Sequence, residues 1–412
     1  MAYRLRREGV PTGRQGAAIR ALFFTHDLDN ANSHLMPWRT VCEVTSRLGG
    51  LGIDANLVSL SSARREIVGP GVPPGTVAIR KKRSLLAGDL REVADNFRPD
   101  AVFWPLAWRE PAWRLHLAGS FCERLVGYFP GGVYQLGPVL RANRRLGART
   151  LAPYLLEALA PKGRRLGAFR RSGVRDIIAL SDHTARTVAG AGWPEDRVHT
   201  IYPGRDAASP GGEPPQLPAE VTEWLDGRPY YLFMGPPSAI RGVFELIAAF
   251  DRAAALRPEI ALVCLFRADA PLEAARIRGR LARMRHGSRV LAHWESLERG
   301  ALAAFLANCH ALVLPFRIVP SEIPLAVIEA LAWETPVIAS DLGGTGEFVR
   351  RFGIATPPGN VGALARAMVR LAADSALHEE RRAQAQAVLA SHPTWQKVAE
   401  AWAEVACRAT AK

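Results

Sequence analysis

Cysteine is scarce in this 412-residue chain: five residues, at positions 42, 122, 264, 309 and 407, odd in number and without paired spacing. That excludes a disulfide framework and argues against a zinc site, so the isolated thiols read as reduced core residues. Long apolar runs are missing too. None approaches the ~18 residues of a membrane-spanning helix, and no apolar stretch of signal-peptide length follows the basic Met1–Glu8 segment. The expected location is therefore cytoplasmic. Negative charge is also in short supply, with 39 Asp and Glu against 53 Lys and Arg and a formal net charge of +14.

The basic excess is uneven. Residues 1–206 hold 31 Lys and Arg against 18 Asp and Glu, a net of +13, whereas the remainder holds 22 against 21, a net of +1. Nine basic residues and a single acid, Glu157, fall between Arg141 and Arg171, and Arg80-Lys81-Lys82-Arg83 forms a second cluster beside Leu85-Leu86. Such a field attracts anionic partners: an anionic or lipid-linked substrate, or the inner face of a membrane as a peripheral contact. Solvated helix faces in an arginine-rich protein explain the same pattern. No nucleic-acid-binding motif accompanies the charge, so a nucleic-acid partner is not expected.

Hydrophobic residues make up 48% and charged residues 22%, the balance of a globular protein long enough for two domains. Short apolar runs alternate with helical patterns. Strands are expected at 20–25, 55–60, 101–104 and 177–180, with helices at 38–48, 90–96 and 184–189. Gly49-Gly50-Leu51-Gly52 follows a helix and reads as its stop, not as a dinucleotide loop. Between Ile201 and Pro218 the chain is too rich in Pro and Gly for strands, which places a domain boundary there. The rhythm then restarts, with strands at 231–234, 261–265, 289–291, 311–314 and 337–339. The helices between them fall at 243–256, 272–284, 299–307 and 324–333. This alternation predicts an α/β fold with parallel sheets and crossover helices.

Residues 315–347 carry the strongest chemical signal. Glu329 is embedded in Leu-Ala-Val-Ile-Glu-Ala-Leu-Ala, where an acid is costly to bury unless something pairs with it. Glu322 lies in the loop just upstream, and a strand and a Gly-Gly turn follow. A paired acid at a helix start is the pattern of a site that grips a polar, anionic ligand.

At these residues the chain resembles the family 4 retaining glycosyltransferases. The resemblance runs through Tyr231-Leu-Phe-Met-Gly235, Arg241-Gly242, Leu312-Val-Leu-Pro315, residues 320–340, Gly343-Gly344 with Glu347, and Gly353-Ile-Ala-Thr-Pro-Pro-Gly359. Ile178-Ala-Leu-Ser181, Ile201-Tyr-Pro-Gly-Arg-Asp206 and His392-Pro-Thr-Trp395 resemble further family segments. It implies a GT-B fold, two Rossmann-like domains facing across a cleft. Residues 1–205 would form the acceptor domain and 206–390 the nucleotide-sugar donor domain, with 391–412 a helix crossing back to the first. It implies a hexosyltransferase-like transferase of carbohydrate biosynthesis, moving sugar with retention from a nucleotide-diphosphate sugar to an acceptor hydroxyl. The nucleotide sugar would be a co-substrate beside an unidentified acceptor, with no cofactor; no Asp-x-Asp motif is expected at a strand end, so no essential metal is expected.

The resemblance also assigns roles. Glu329 takes the ribose diol and Arg241 the diphosphate, beside Gly235 and the backbone of Ile323, Pro324 and Leu325, while Glu322 reaches the donor sugar. A helix carboxylate can accept two hydroxyls, a guanidinium forks onto phosphate oxygens, and a helix start offers amides to an anion. The base is placed near His293 and Trp294. The family's acid pair is usually separated by seven residues, but six lie between Glu322 and Glu329, so the strictly aligned position is Ser321. Pro236 stands where the family has a second diphosphate Arg. The usual acceptor-side His is absent, with Phe103-Trp104-Pro105 and Tyr128-Phe129-Pro130 in its place. His26, Trp104 and Tyr128 are the acceptor-side candidates. Trp104, Trp108 and Trp113 form either an aromatic platform or ordinary core. A catalytically weak or inactive nucleotide-sugar or partner-binding module on the same fold, and an epimerase or inverting chemistry, remain the competing readings.

Overall fold

The computed structural model describes residues 18–142, 146–206, 214–267, 271–295, 297–319 and 321–411. The basic N-terminal segment, Arg144 and Arg145 of the basic run, residues 207–213 of the Pro/Gly-rich linker and Pro320 lie outside the described residues.

Two sheets form from the alternating pattern. The first contains β1 (Ile19–His26), β2 (Ile53–Ser61), β3 (Arg65–Glu66), β4 (Val77–Arg80), β5 (Ala101–Pro105), β6 (Leu125–Phe129), β7 (Val174–Ala179) and β8 (Val198–Thr200). Its order is β3-β4-β2-β1-β5-β6-β7-β8, with the β3–β4 pair antiparallel and the others parallel. The second contains β9 (Tyr230–Gly235), β10 (Ala261–Phe266), β11 (Val290–His293), β12 (Ala311–Leu314), β13 (Val337–Ser340) and β14 (Ile354–Thr356). It runs β11-β10-β9-β12-β13-β14, parallel throughout. β5, β6, β10, β12 and β13 are buried along their whole length, because crossover helices cover both faces of a parallel sheet. Among the parallel strands of each sheet the order reverses once, between β1 and β5 and between β9 and β12. Ligands of open α/β sheets bind at such reversals, beyond the carboxyl ends of the strands.

The chain divides into two compact units: the described parts of Met1–Val133, Leu159–Ala207 and Pro393–Lys412, and those of Tyr134–Ala158 and Ala208–His392. Trp104, Trp108, Leu115 and Phe169 anchor the first core; Tyr231, Phe233, Phe250 and Met368 anchor the second. Residues 134–158 fall within the segment read from sequence as the first domain, yet they cluster with the second unit. The reason is apolar packing: Val139, Leu146 and Leu151, on and between the Leu136–Ala142 and Ala148–Leu159 helices, bury against Ala239 and Ile318. The last helix, Trp395–Thr410, is capped by the Thr394 hydroxyl, which accepts from Lys397 N. Its buried face includes Trp395, Val398, Ala399, Trp402, Ala406 and Ala409, a helical spacing that lays it on the first unit. There Trp402 meets the rings of Phe23, Phe103 and Tyr128 at 5.4–5.9 Å.

Candidate functional site

In the second unit the residues singled out from sequence collect at the carboxyl ends of the strands. β9 ends at Gly235, and a short turn, Ala239–Arg241, leads to Gly242 and the Val243–Leu256 helix. Gly242 sits at φ 75°, and a Cβ there would fall 1.8 Å from the Pro315 carbonyl oxygen, so only glycine fits. That close approach ties the turn to the segment after β12, where the Arg317 and Ile318 amides donate to the Ile240 carbonyl at 2.9 and 3.2 Å. The half-buried Arg241 side chain is thereby held over Gly235, its guanidinium 5.7 Å from the Phe316 ring centroid. Tyr154, from the Ala148–Leu159 helix, is close enough for Arg241 to pull its phenol down against the upward push of burial.

Arg317, 8% exposed, donates from Nη2 to Glu245 Oε1 at 2.7 Å, a buried ion pair between the post-β12 loop and the Val243–Leu256 helix. Sequence reasoning missed it; the signal was an arginine inside the apolar run Pro-Phe-Arg-Ile-Val-Pro.

Glu322 is placed otherwise than a sugar-facing acid would be. It is 2% exposed, its Oε1 accepts from Gly344 N at 2.9 Å, and its backbone carbonyl accepts from the Thr345 hydroxyl at 2.8 Å. The first amides of the Gly343–Val349 helix need acceptors and favour a negative charge, and Glu322 supplies both. Ser321, Ile323 and Pro324 are buried beside it. The Leu325–Ala332 helix opens outward only from Leu325. Its first turn leaves the Leu325 and Ala326 amides without intrahelical partners, and Pro324 has no N–H to offer. Glu329 lies one turn on, half-buried on the same side as Leu325, while Val327, Ile328, Ala330 and Leu331 face the core. The acid is therefore not sealed in hydrophobic packing.

After β11, the imidazole Nε2 of His293 is shielded from solvent and makes no hydrogen bond. The neighbouring Trp294 packs on Phe266 at 4.6 Å, and the Arg278 guanidinium lies 4.2 Å over its ring. A base stacking on that tryptophan would meet an arginine already in place.

In the first unit two of the three acceptor-side candidates are core. Trp104 is 0% exposed, and Tyr128 is 2% exposed with its hydroxyl donating to the Phe24 carbonyl at 2.6 Å. Trp108 is buried as well, so no aromatic platform stands there. The cause is a doubly covered parallel sheet, in which both faces of β5 and β6 are interior. His26 differs: it closes β1 with its side chain 33% exposed. Immediately after it stands Asp27-Leu28-Asp29, an Asp-x-Asp at a strand end, where the sequence reading expected none. Both Asp27 oxygens pair with Lys81 Nζ at 2.9 Å, and Asp29 accepts from the amides of Ala31 and Asn32.

Two parallel sheets, each with a reversal, followed by a helix packing back on the first, make this a GT-B fold. Solved structures share it over nearly the whole chain. A glycosyltransferase from Rickettsia africae ESF-5 is similar with a TM-score of 0.67 and 16% identity, over 95% of this chain and 98% of that one. Anabaena Alr3699/HepE in complex with UDP and glucose gives 0.66 and 13%, over 95% and 100%. Sucrose-phosphate synthase from Thermosynechococcus elongatus gives 0.66 and 19%, over 95% and 98%. Residues 228–374 match the family described as glycosyl transferases group 1. The segment that holds Arg241, Glu322 and Glu329 is thus of the group 1 type. Glycogen synthase of Mycobacterium tuberculosis (strain CDC 1551 / Oshkosh) is 31% identical over 179 residues, which are 42% of this chain. The match spans 41% of that relative's length, less than half of it.

Proposed function

We propose that the chain is a retaining glycosyltransferase whose second unit binds a nucleotide-diphosphate sugar. One observation carries the reading: the group 1 match coincides with Arg241 and Glu329, both half-buried, at the carboxyl ends of β9 and β12 where the strand order reverses. Arg241 and the first amides of the Leu325–Ala332 helix hold the diphosphate, and Glu329 takes the ribose hydroxyls. Anabaena HepE, of the same fold, has been crystallised with UDP-glucose, which supports a donor of this class.

In the transfer, the acceptor oxygen bonds to the anomeric carbon on the face from which the diphosphate departs. The bond from that carbon to the diphosphate oxygen breaks, and this oxygen collects the acceptor's proton. Arginine and helix amides stabilise the leaving charge, so neither a strong protein base nor a metal ion is required. The test is UDP titration of R241A and E329Q, each expected to weaken binding about tenfold, the worth of one charge-assisted hydrogen bond. Unchanged affinity in both sinks the assignment. Product anomeric configuration, read by NMR, tests retention.

A second reading, a nucleotide-sugar-binding module without transfer, is favoured by Pro236 and by the engagement of Glu322 on Gly344. Measurable donor hydrolysis or transfer rules it out. Peripheral membrane contact belongs to the proposal too. Leu136, Leu140, Leu156 and Leu159 are 39–61% exposed on two helices, one just before and one within the basic run Arg141–Arg171. Flotation with liposomes should require acidic lipid and fade with salt; equal recovery without acidic lipid ends the idea. No helix among the described residues is long and apolar enough to cross a membrane.

A further inference from the structure

At the strand-order reversal of the first unit, three side chains meet that are far apart in sequence. His26 ends β1, Glu110 follows β5 in a turn closed by its amide on the Ala107 carbonyl, and Arg114 begins the Ala112–Phe121 helix. The site is built firmly. Trp38 Nε1 donates to the His26 carbonyl at 2.6 Å, and Arg165 donates to the backbone carbonyls of Trp108 and, at 2.6 Å, of Glu110.

Glu110 is 5% exposed, and its Oε1 is shielded from solvent without a hydrogen bond, 3.6 Å from Arg114 Nη1. Its Oε2 lies 3.9 Å from His26 Nε2. Such a gap is too long for a hydrogen bond, yet two legs of ~2.8 Å can meet on one oxygen placed between the two atoms, at about a right angle. Burial, reinforced by Arg114, holds His26 down at about 4, leaving the imidazole neutral near pH 7. Burial pushes the Glu110 carboxyl up, with Arg114 pulling against it. The charged neighbours are Lys81, paired with Asp27, and Arg114 and Arg165, both acting on Glu110.

We propose that His26 and Glu110 together bridge one hydroxyl of the acceptor, so that the first unit takes a molecule of the sugar or polyol class. This rests on the reading of the chain as a glycosyltransferase. It also names a positioning pair that the absent family histidine left open: the ring and the carboxyl hold the hydroxyl oxygen from two sides, one donating and one accepting.

Saturation-transfer-difference NMR on the full chain tests this, with methyl α-D-glucopyranoside as probe, with and without UDP. The wild type should give sugar signals. H26N and E110L should weaken sugar binding about fivefold, the worth of one hydrogen bond, and E110Q should restore it, because an amide still accepts and donates there. UDP affinity should stay unchanged in all three variants. Absence of signal in the wild type, equal signal in wild type, H26N and E110L, or no rescue by E110Q overturns the proposal. Failure to bind UDP with the sugar signals intact would count against the proposed donor site and leave this pair standing.

Discussion

Gly242 shows how one residue can set the geometry of a turn. Its φ of 75° and the 1.8 Å approach of a would-be Cβ to the Pro315 oxygen leave no side chain room, and the obstacle is backbone, which cannot swing aside. G242A should therefore destabilise the protein by about 2–4 kcal/mol, the left-handed penalty plus overpacking, read as a lower urea midpoint. At Gly235 a Cβ would meet only the mobile end of Arg241, at 3.3 Å, although φ there is 137°. G235A should lose less stability and more UDP affinity, because it displaces the guanidinium itself. The Arg241-Gly242 pair was legible in the sequence. The need for glycine was not, since it arises from a carbonyl more than seventy residues away.

The elements with a complete apolar signature were readable almost to the residue. The Trp38–Leu48 and Val243–Leu256 helices and β12 fall where the periodicity puts them, and Ser181 caps its helix by accepting from Thr184 N. Residues 134–158 were not, because which unit a helical hairpin joins depends on a partner surface, here Ala239 and Ile318, that no local pattern reveals. The same limit applied to Glu322. The resemblance placed it on the donor sugar despite its shifted spacing, whereas the acceptor demand of the Gly343–Val349 helix draws it inward. That difference can be measured. E322A should cost about 1–3 kcal/mol by stranding the Gly344 amide, while E322Q, which still offers an acceptor, should cost less and leave the helix in place. A loss of transfer in E322Q without any stability change in either variant would return the residue to the sugar. Glu110 and Arg114 escaped notice for a related reason. Trp-Arg-Glu-Pro reads as a turn, and only the neighbouring position of β1 and β5 brings His26 to it.

At the scale of the whole molecule, the two cores can be addressed one at a time. His310 and His378 stack at 4.1 Å in the second unit, each with its Nε2 on a backbone carbonyl, those of Leu371 and His310 respectively. Burial, with His378 adding to it, lowers His310 from 6.5 to about 4. Between these values the unfolded chain binds more protons than the folded one, so stability is present in full above pH 6.5 and drains away as pH falls toward 4, by roughly 3 kcal/mol at most. Acidifying from pH 7 to 5 should lower the melting temperature of the second unit, and H310N should flatten that slope. The first unit has its own handle in Trp402, 0% exposed among Phe23, Phe103 and Tyr128. W402A removes a large ring from a packed site, at a cost of about 3–5 kcal/mol. Because the tryptophan belongs to the Trp395–Thr410 helix and touches only residues of the first unit in these ring contacts, the loss should fall there. Calorimetry of W402A should then resolve an early transition, with the later one held where UDP still raises it by mass action. If both transitions move down together and UDP no longer shifts either, the cores are not energetically separate, and the last helix supports the second unit as much as the one it covers.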